Sequence, residues 1–77
     1  MKEFIEYLAK HLVDHPDAVR VTQTESDKTT IIELTVAEGD EGQIIGRKGQ
    51  TVNALRTLLT NISAKEGGKR AILELND

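Results

Sequence analysis

From Lys2 to Val13 the apolar residues Phe4, Ile5, Leu8, Ala9 and Leu12 recur every three or four positions, while Lys2, Glu3, Glu6 and Lys10 fill the other side. At that period an α-helix turns a single apolar stripe towards a core. The pattern predicts an amphipathic helix with Phe4 packed inward. His15-Pro16 ends it, because a residue before proline is driven out of helical geometry, and Asp14, Pro16 and Asp17 supply a turn. The period then drops to two. Val19 and Val21 alternate with polar residues over 18–25, Ile32, Leu34 and Val36 do so over 29–37, and Glu25-Ser26-Asp27-Lys28 between them is hairpin turn material. Both runs are rich in β-branched side chains, which suit a pleated, half-buried surface.

Helical spacing returns at Gly39-Asp40. Asp40 followed three residues later by Gln43 has the form of a capping box. The helix it opens is short, since Ile44 and Ile45 lead straight into Gly46. After Gly49 a longer helix extends to about Lys65 with Val52, Leu55, Leu59 and Ile62 on one face, and Gly67-Gly68 stops it. Ala71, Leu73 and Leu75 then alternate with Ile72 and Glu74 as a final strand. The predicted order is α-β-β-α-α-β, an α+β fold in which one three-stranded sheet has its helices packed on one face. Residues 1–77 form a single domain.

Composition narrows the picture. With one Phe, one Tyr, one Met and no Cys, the core is Leu, Ile, Val and Ala, and no disulfide supports it. A domain of this size buries only about 60% of the surface its unfolded chain exposes, so a modest stability is expected. No apolar run approaches the roughly 20 residues that span a bilayer. Lys2, Glu3 and Glu6 do not resemble a signal peptide, and a cytoplasmic location is expected. The net charge of −3 would argue against a polyanionic partner if it were evenly spread. It is not. Between Gln43 and Ala71 stand Arg47, Lys48, Arg56, Lys65, Lys69 and Arg70 against Glu66 alone, a local balance of +5 that leaves −8 for the rest. One basic edge on an acidic body can hold a short polyanion locally.

The basic segment contains Ile44-Ile45-Gly46-Arg47-Lys48-Gly49-Gln50, a turn with glycine at each end and two cations between. Glycines allow a tight turn and close approach of another backbone. The helix that follows offers unpaired N–H groups and the positive end of its dipole, which together favour phosphate. Arg47 can fork onto two phosphate oxygens, and Lys48 adds a point charge. Competing chemistry finds little support. GxxxxGK[ST] fails because Arg47 stands five places after Gly42, and GxGxxG fails at Ile44. His11 and His15 have metal-compatible spacing but no Cys or clear carboxylate partner, so both are read as solvated helix-end residues. Glu38, Asp40 and Glu41 are accounted for by capping and the helix dipole. No catalytic residue, metal or cofactor is assigned, and no enzyme activity is expected.

An isoleucine-rich short helix, a GxxG loop and a second amphipathic helix, in this element order, resemble the KH family in its type II-like form. The Val-Asp-His-Pro-Asp segment at 13–17 and the stretch Gly46–Leu59, with Ala54-Leu55-Arg56 inside it, are similar to the small bacterial KhpA proteins. The resemblance covers essentially the whole chain. It implies a single-stranded RNA-binding protein, an RNA chaperone or post-transcriptional regulator, that clamps the RNA backbone with Gly46, Arg47, Lys48 and Gly49, flanked by Ile45 and Gln50. It places Ile44, Val52, Leu55 and Arg56 along a groove for the bases, with Ile32 and Leu34 as its other wall or as core beneath. The apolar members of that set fit the core equally well by their spacing. It also implies a homodimer, or a heterodimer with a KhpB-type KH-containing protein.

Phe4 and Tyr7 are the only aromatic residues, so base contacts are expected to be aliphatic and hydrogen-bonded, not stacked. Two or three clamped phosphates imply a salt slope of about −1.4 to −2.1 and an affinity in roughly the micromolar range. Either Gly46→Asp or the pair Arg47→Asp, Lys48→Asp is expected to abolish binding with the fold intact. The competing reading is an assembly module with this fold that binds RNA only together with a partner. Such a module has no use for two adjacent cations on an exposed turn.

Overall fold

The computed structural model describes residues 1–76. Helix α1 (Lys2–Leu12) buries Ile5 and Ala9, four residues apart on one face. Phe4, expected inside, is instead 36% exposed. It precedes Ile5 by one residue, about 100° around the helix, and falls on the flank that also carries Tyr7 and His11. There the Tyr7 and His11 rings lie 4.4 Å apart, and His11 Nδ1 meets the Tyr7 carbonyl at 2.8 Å. The core is accordingly aliphatic throughout.

Val13 is extended, and a 3-10 turn at Pro16–Ala18 delays strand β1 (Arg20–Glu25) by two residues relative to the alternation. Pro16 suits the head of that turn, where its missing N–H costs no bond. Strand β2 (Thr29–Thr35) returns antiparallel, with Val21 opposite Leu34 and Gln23 opposite Ile32. Ser26 N–H donates to the Thr29 carbonyl at 2.8 Å and closes the hairpin.

Helix α2 (Glu41–Ile45) is short, a 3-10 turn over Arg47–Gly49 follows, and helix α3 (Gln50–Lys65) runs on to the Gly67-Gly68 turn. Strand β3 (Arg70–Asn76) then pairs parallel to β2, with Ile32 opposite Leu73, giving the sheet order β1-β2-β3. A parallel return needs a long crossover, which α2 and α3 supply. Val21, Ile32, Leu34 and Leu73 meet Ile5, Ile44, Val52, Leu55 and Leu59 in one core cluster. Alternate residues of β2, such as Ile31 and Glu33, stay half-exposed, as one-sided cover by helices requires. The buried line of α3 ends on Ser63, not Ile62. Ser63 Oγ donates to the Lys69 carbonyl and its own carbonyl accepts from Gly68 N–H at 2.8 Å, so this position organises the turn into β3.

The expected capping box does not form. Asp40 occupies the N-cap of α2 but makes no side-chain cap bond there. Its buried carboxylate reaches back 25 residues, accepting from His15 N–H at 2.9 Å and meeting His15 Nδ1 at 3.1 Å. Gln43 Oε1 accepts from Asp14 N–H at 3.3 Å. The residues that looked like a local cap thus satisfy the chain leaving α1, and His15 is a structural partner despite its exposed ring. Asp40→Ala removes the buried acceptor of the part-buried His15 N–H and is expected to lower stability by about 1–3 kcal/mol, read from the urea midpoint.

Candidate nucleic-acid interface

The loop is built from backbone geometries that few residues tolerate. Gly46 has φ 75° and ψ 175°, and Gly49 is left-handed at φ 75° and ψ 11°. Lys48 between them also lies at positive φ, 56°, with ψ 27°. A side-chain-bearing residue held there costs about 1–2 kcal/mol and is the kind of local strain that concentrates at functional sites. The two glycines have different reasons. A Cβ on Gly46 would stand 2.2 Å from Thr51 Oγ1 and 2.7 Å from Thr51 Cβ, so this glycine lets the turn close against the start of α3. A Cβ on Gly49 would meet nothing nearer than Asn53 Nδ2 at 3.7 Å, and only its backbone conformation calls for glycine. Gly46→Asp is therefore a packing defect as well as a charge change, contrary to the expectation that it spares the fold.

Arg47, Lys48 and Gln50 are exposed at the tip, and Ile45 beside them is 41% exposed. The amides behind them are less available than an ordinary helix start would offer. Gly49 N–H donates to the Gly46 carbonyl at 3.2 Å and Gln50 N–H to the Arg47 carbonyl. Attraction for an anion at the tip therefore rests on the two side-chain charges and the α3 dipole more than on free N–H groups. Among the described residues, the ion pairs involve the amino terminus, Lys10, His15 and Lys69 and leave Arg47, Lys48 and Arg56 unneutralised.

The expected groove divides in two. Ile44, Val52 and Leu55 belong to the core, as do Ile32 and Leu34, so none of these offers a wall to a ligand. The spacing that proposed them was that of an inward-facing stripe. The open trough beside α3 is instead bounded by β3, one of the two edge strands of the sheet. Arg56 and Arg70 are exposed there beside half-buried Ala71 and Ile72, and the Arg56 guanidinium donates to the carbonyl of buried Leu73 at 3.4 Å. Another hollow, between Met1, Glu25, Thr30 and Glu66, holds Lys69 as well, but there Lys69 is paired with Glu25 at 3.7 Å.

The chain matches the family model described as KhpA/KhpB, KH domain, over residues 2–75. The chain belongs to the KhpA/KhpB family of KH domains. Its relatives include the RNA-binding protein KhpA of Aquifex aeolicus, 48% identical over 75 residues that cover 97% of this chain and 94% of that one. That of Chlamydia muridarum is 46% identical over 69 residues, 90% of this chain and 88% of its own. That of Borreliella burgdorferi is 45% identical over 75 residues, 97% of this chain and 90% of its own. No solved structure matches it.

Two positions of this KH domain's surface lie outside the expected contact residues, although Arg70 belongs to the basic segment. Asn53 lies one helical turn beyond Gly49 with its amide facing the loop, and Arg70 faces Arg56 from across the trough. Asn53 is recoverable from the i, i+4 relation to Gly49. Arg70 is not, because its nearness to Arg56 depends on how β3 folds back along α3.

Proposed function

We propose that this KH domain binds single-stranded RNA by gripping its phosphate backbone with Gly46-Arg47-Lys48-Gly49, Ile45 and Gln50 flanking the contact. The observation that carries the reading is the loop: two cations without carboxylate partners among the described residues, on a tight turn in which Lys48 is held at positive φ. The turn stands at the head of a 16-residue helix, whose dipole adds to the attraction. KH loops clamp about four nucleotides in this way, and relatives of this chain carry the name RNA-binding protein. Base contacts come from Ile45, Asn53 and Arg56, since the buried isoleucine and valine side chains are out of reach. The reading assigns no catalytic step, and a cytoplasmic location goes with the substrate. No helix among the described residues is long and apolar enough to cross a membrane.

The same reading includes a second KH chain, either another copy or a larger KhpB-type protein, which would raise a weak affinity through effective concentration. Exposed Phe4, Tyr7 and Leu12 on α1 leave apolar surface for such a contact.

The test is fluorescence anisotropy of a labelled tetranucleotide at several salt concentrations, beside a duplex control. The single strand should bind in roughly the micromolar range with a salt slope of about −1.4 to −2.1. Absence of binding at hundreds of micromolar protein would leave the assembly-module reading in its place.

A further inference from the structure

Among the described residues Asp40 is the only buried ionisable side chain, at 2% exposure, and nothing in the RNA contact uses it. It stands at the head of α2, a helix of five residues. A helix that short does not hold itself together, because nucleation costs more than so few backbone bonds return. Its side-chain contacts must fix it. Asp40, Gln43 and Ile44 are spaced three and four residues apart and so share one side of the helix. Ile44 enters the core. Gly42 and Ile45 are exposed, and the Glu41 carboxylate turns aside to accept from Gly39 N–H at 2.7 Å. The remaining anchors are polar: Asp40 accepts from His15 N–H and Gln43 from Asp14 N–H, both on the chain just past α1. One apolar anchor alone would let α2 pivot; these two bonds prevent it.

The glycine turn begins where α2 ends. Lys48 lies within it at φ 56°, and backbone strain of that kind persists only where the surroundings leave the chain no alternative. Both ends of the turn must therefore be held. Buried Val52 and Leu55 fix the start of α3 on one side. On the other side only α2 can do so, and Gly46 must arrive close against Thr51 for the turn to close. Asp40 precedes Gly46 by six residues, about 9 Å along a helix at about 1.5 Å per residue. Buried and set back from the tip, the carboxylate acts on the turn through α2 and not by touching a ligand.

We propose that Asp40 and Gln43 are positioning residues for the clamp: by bonding to the backbone N–H groups of His15 and Asp14 they hold α2 so that the turn keeps its binding geometry before RNA arrives. The inference rests on the single-stranded RNA reading above and concerns the same loop. Because the donors are backbone groups, the hold depends on the side chains of Asp40 and Gln43. With α2 released, the strain at Lys48 is free to relax, and the strained turn becomes the minor form by a factor of about 5 to 30. Apparent affinity for RNA falls by the same factor, since only the competent form binds. Electrostatics alone predicts the opposite sign. Removing a carboxylate from a chain of net charge −3 would strengthen attraction for a polyanion.

The experiment titrates the labelled tetranucleotide with Asp40→Ala, Asp40→Asn and Gln43→Ala, at a temperature where circular dichroism shows each variant fully folded, and records backbone amide NMR spectra of the same proteins without RNA. Asp40→Ala should bind about 5- to 30-fold more weakly with the salt slope of the unaltered protein, because no phosphate-contacting cation is lost. Asp40→Asn still presents an oxygen to His15 N–H and should return to within about threefold of the unaltered protein. Gln43→Ala removes one bond at a half-buried position and should cost about threefold, which carries the test if Asp40→Ala does not fold. The amide resonances of Gly46, Lys48 and Gly49 should move in both alanine variants, a change that a loss of stability alone does not produce. Unchanged affinity in the folded alanine variants would overturn the proposal, and so would tighter binding or a shallower salt slope in Asp40→Ala. Equal weakening by Asp40→Asn and Asp40→Ala would also overturn it, since the loss would then follow the charge and not the bond. If the unaltered protein binds no RNA, the RNA reading falls by itself. The loop resonances then decide the hold on the turn separately: unmoved in both alanine variants, they overturn it.

Discussion

Changing Arg47 and Lys48 together to aspartate is expected to weaken RNA binding by about 100-fold or more while the domain melts as before. Each exchange turns an attraction for a phosphate into a repulsion. Two such exchanges at contact distance exceed the roughly 1.4 kcal/mol per site that a tenfold loss requires, even in a medium close to water. The fold should not notice. Both side chains are exposed, and neither enters the core or an ion pair among the described residues. Lys48 has left-handed geometry, φ 56° and ψ 27°, which aspartate adopts more readily than lysine. Anisotropy with a short single-stranded RNA measures the first half, and the thermal midpoint by circular dichroism the second. A variant that still binds like the parent would end the assignment of the loop as the clamp.

The second large effect separates two glycines that look equivalent in a GxxG string. Gly46→Ala should destabilise the domain by about 3 kcal/mol or more, because its φ and ψ belong to a region open almost solely to glycine and its new methyl overlaps Thr51. Gly49→Ala makes only an ordinary van der Waals contact with Asn53 and should cost about 1 kcal/mol, the expense of left-handed backbone alone. Urea unfolding of the two variants side by side tests this. Equal costs would mean that the turn does not close on Thr51 as described. The difference matters in choosing variants for binding work. A domain this small has a stability of the order of 0.05–0.15 kcal/mol per residue, so a loss of 3 kcal/mol can pass for lost function.

The aliphatic core and the edge trough explain how a net-negative protein comes to present a basic surface. Most of the carboxylates precede Gln43 in the chain, whereas α3 and β3 place Arg56 and Arg70 on opposite sides of one shallow channel. Local positive potential, not net charge, then governs association with a short polyanion.

Periodicity along the chain determined the order of elements, the sheet-forming runs, the glycine turn and the cations inside it, because each depends on residues within a few positions of one another. Hence α1, β1, β2, α3 and β3 all lie within two residues or so of where the alternation of apolar and polar positions put them. Tertiary structure decided the rest. Spacing could say that Ile44, Val52 and Leu55 share a face, but only the docking of α2 and α3 onto the sheet shows that this face is the core and not a groove. Spacing likewise put Phe4 on the apolar side of α1, but the core takes in Ile5 and Ala9 and leaves Phe4 at the margin. Asp40 and Gln43 had the form of a local cap, yet their side chains bond to residues 15 and 14, 25 and 29 positions away, a pairing no local window of sequence contains. Arg70 came beside Arg56 for the same reason: a parallel crossover brings β3 back along α3, and contacts made by chain reversal are set by packing, not by pattern.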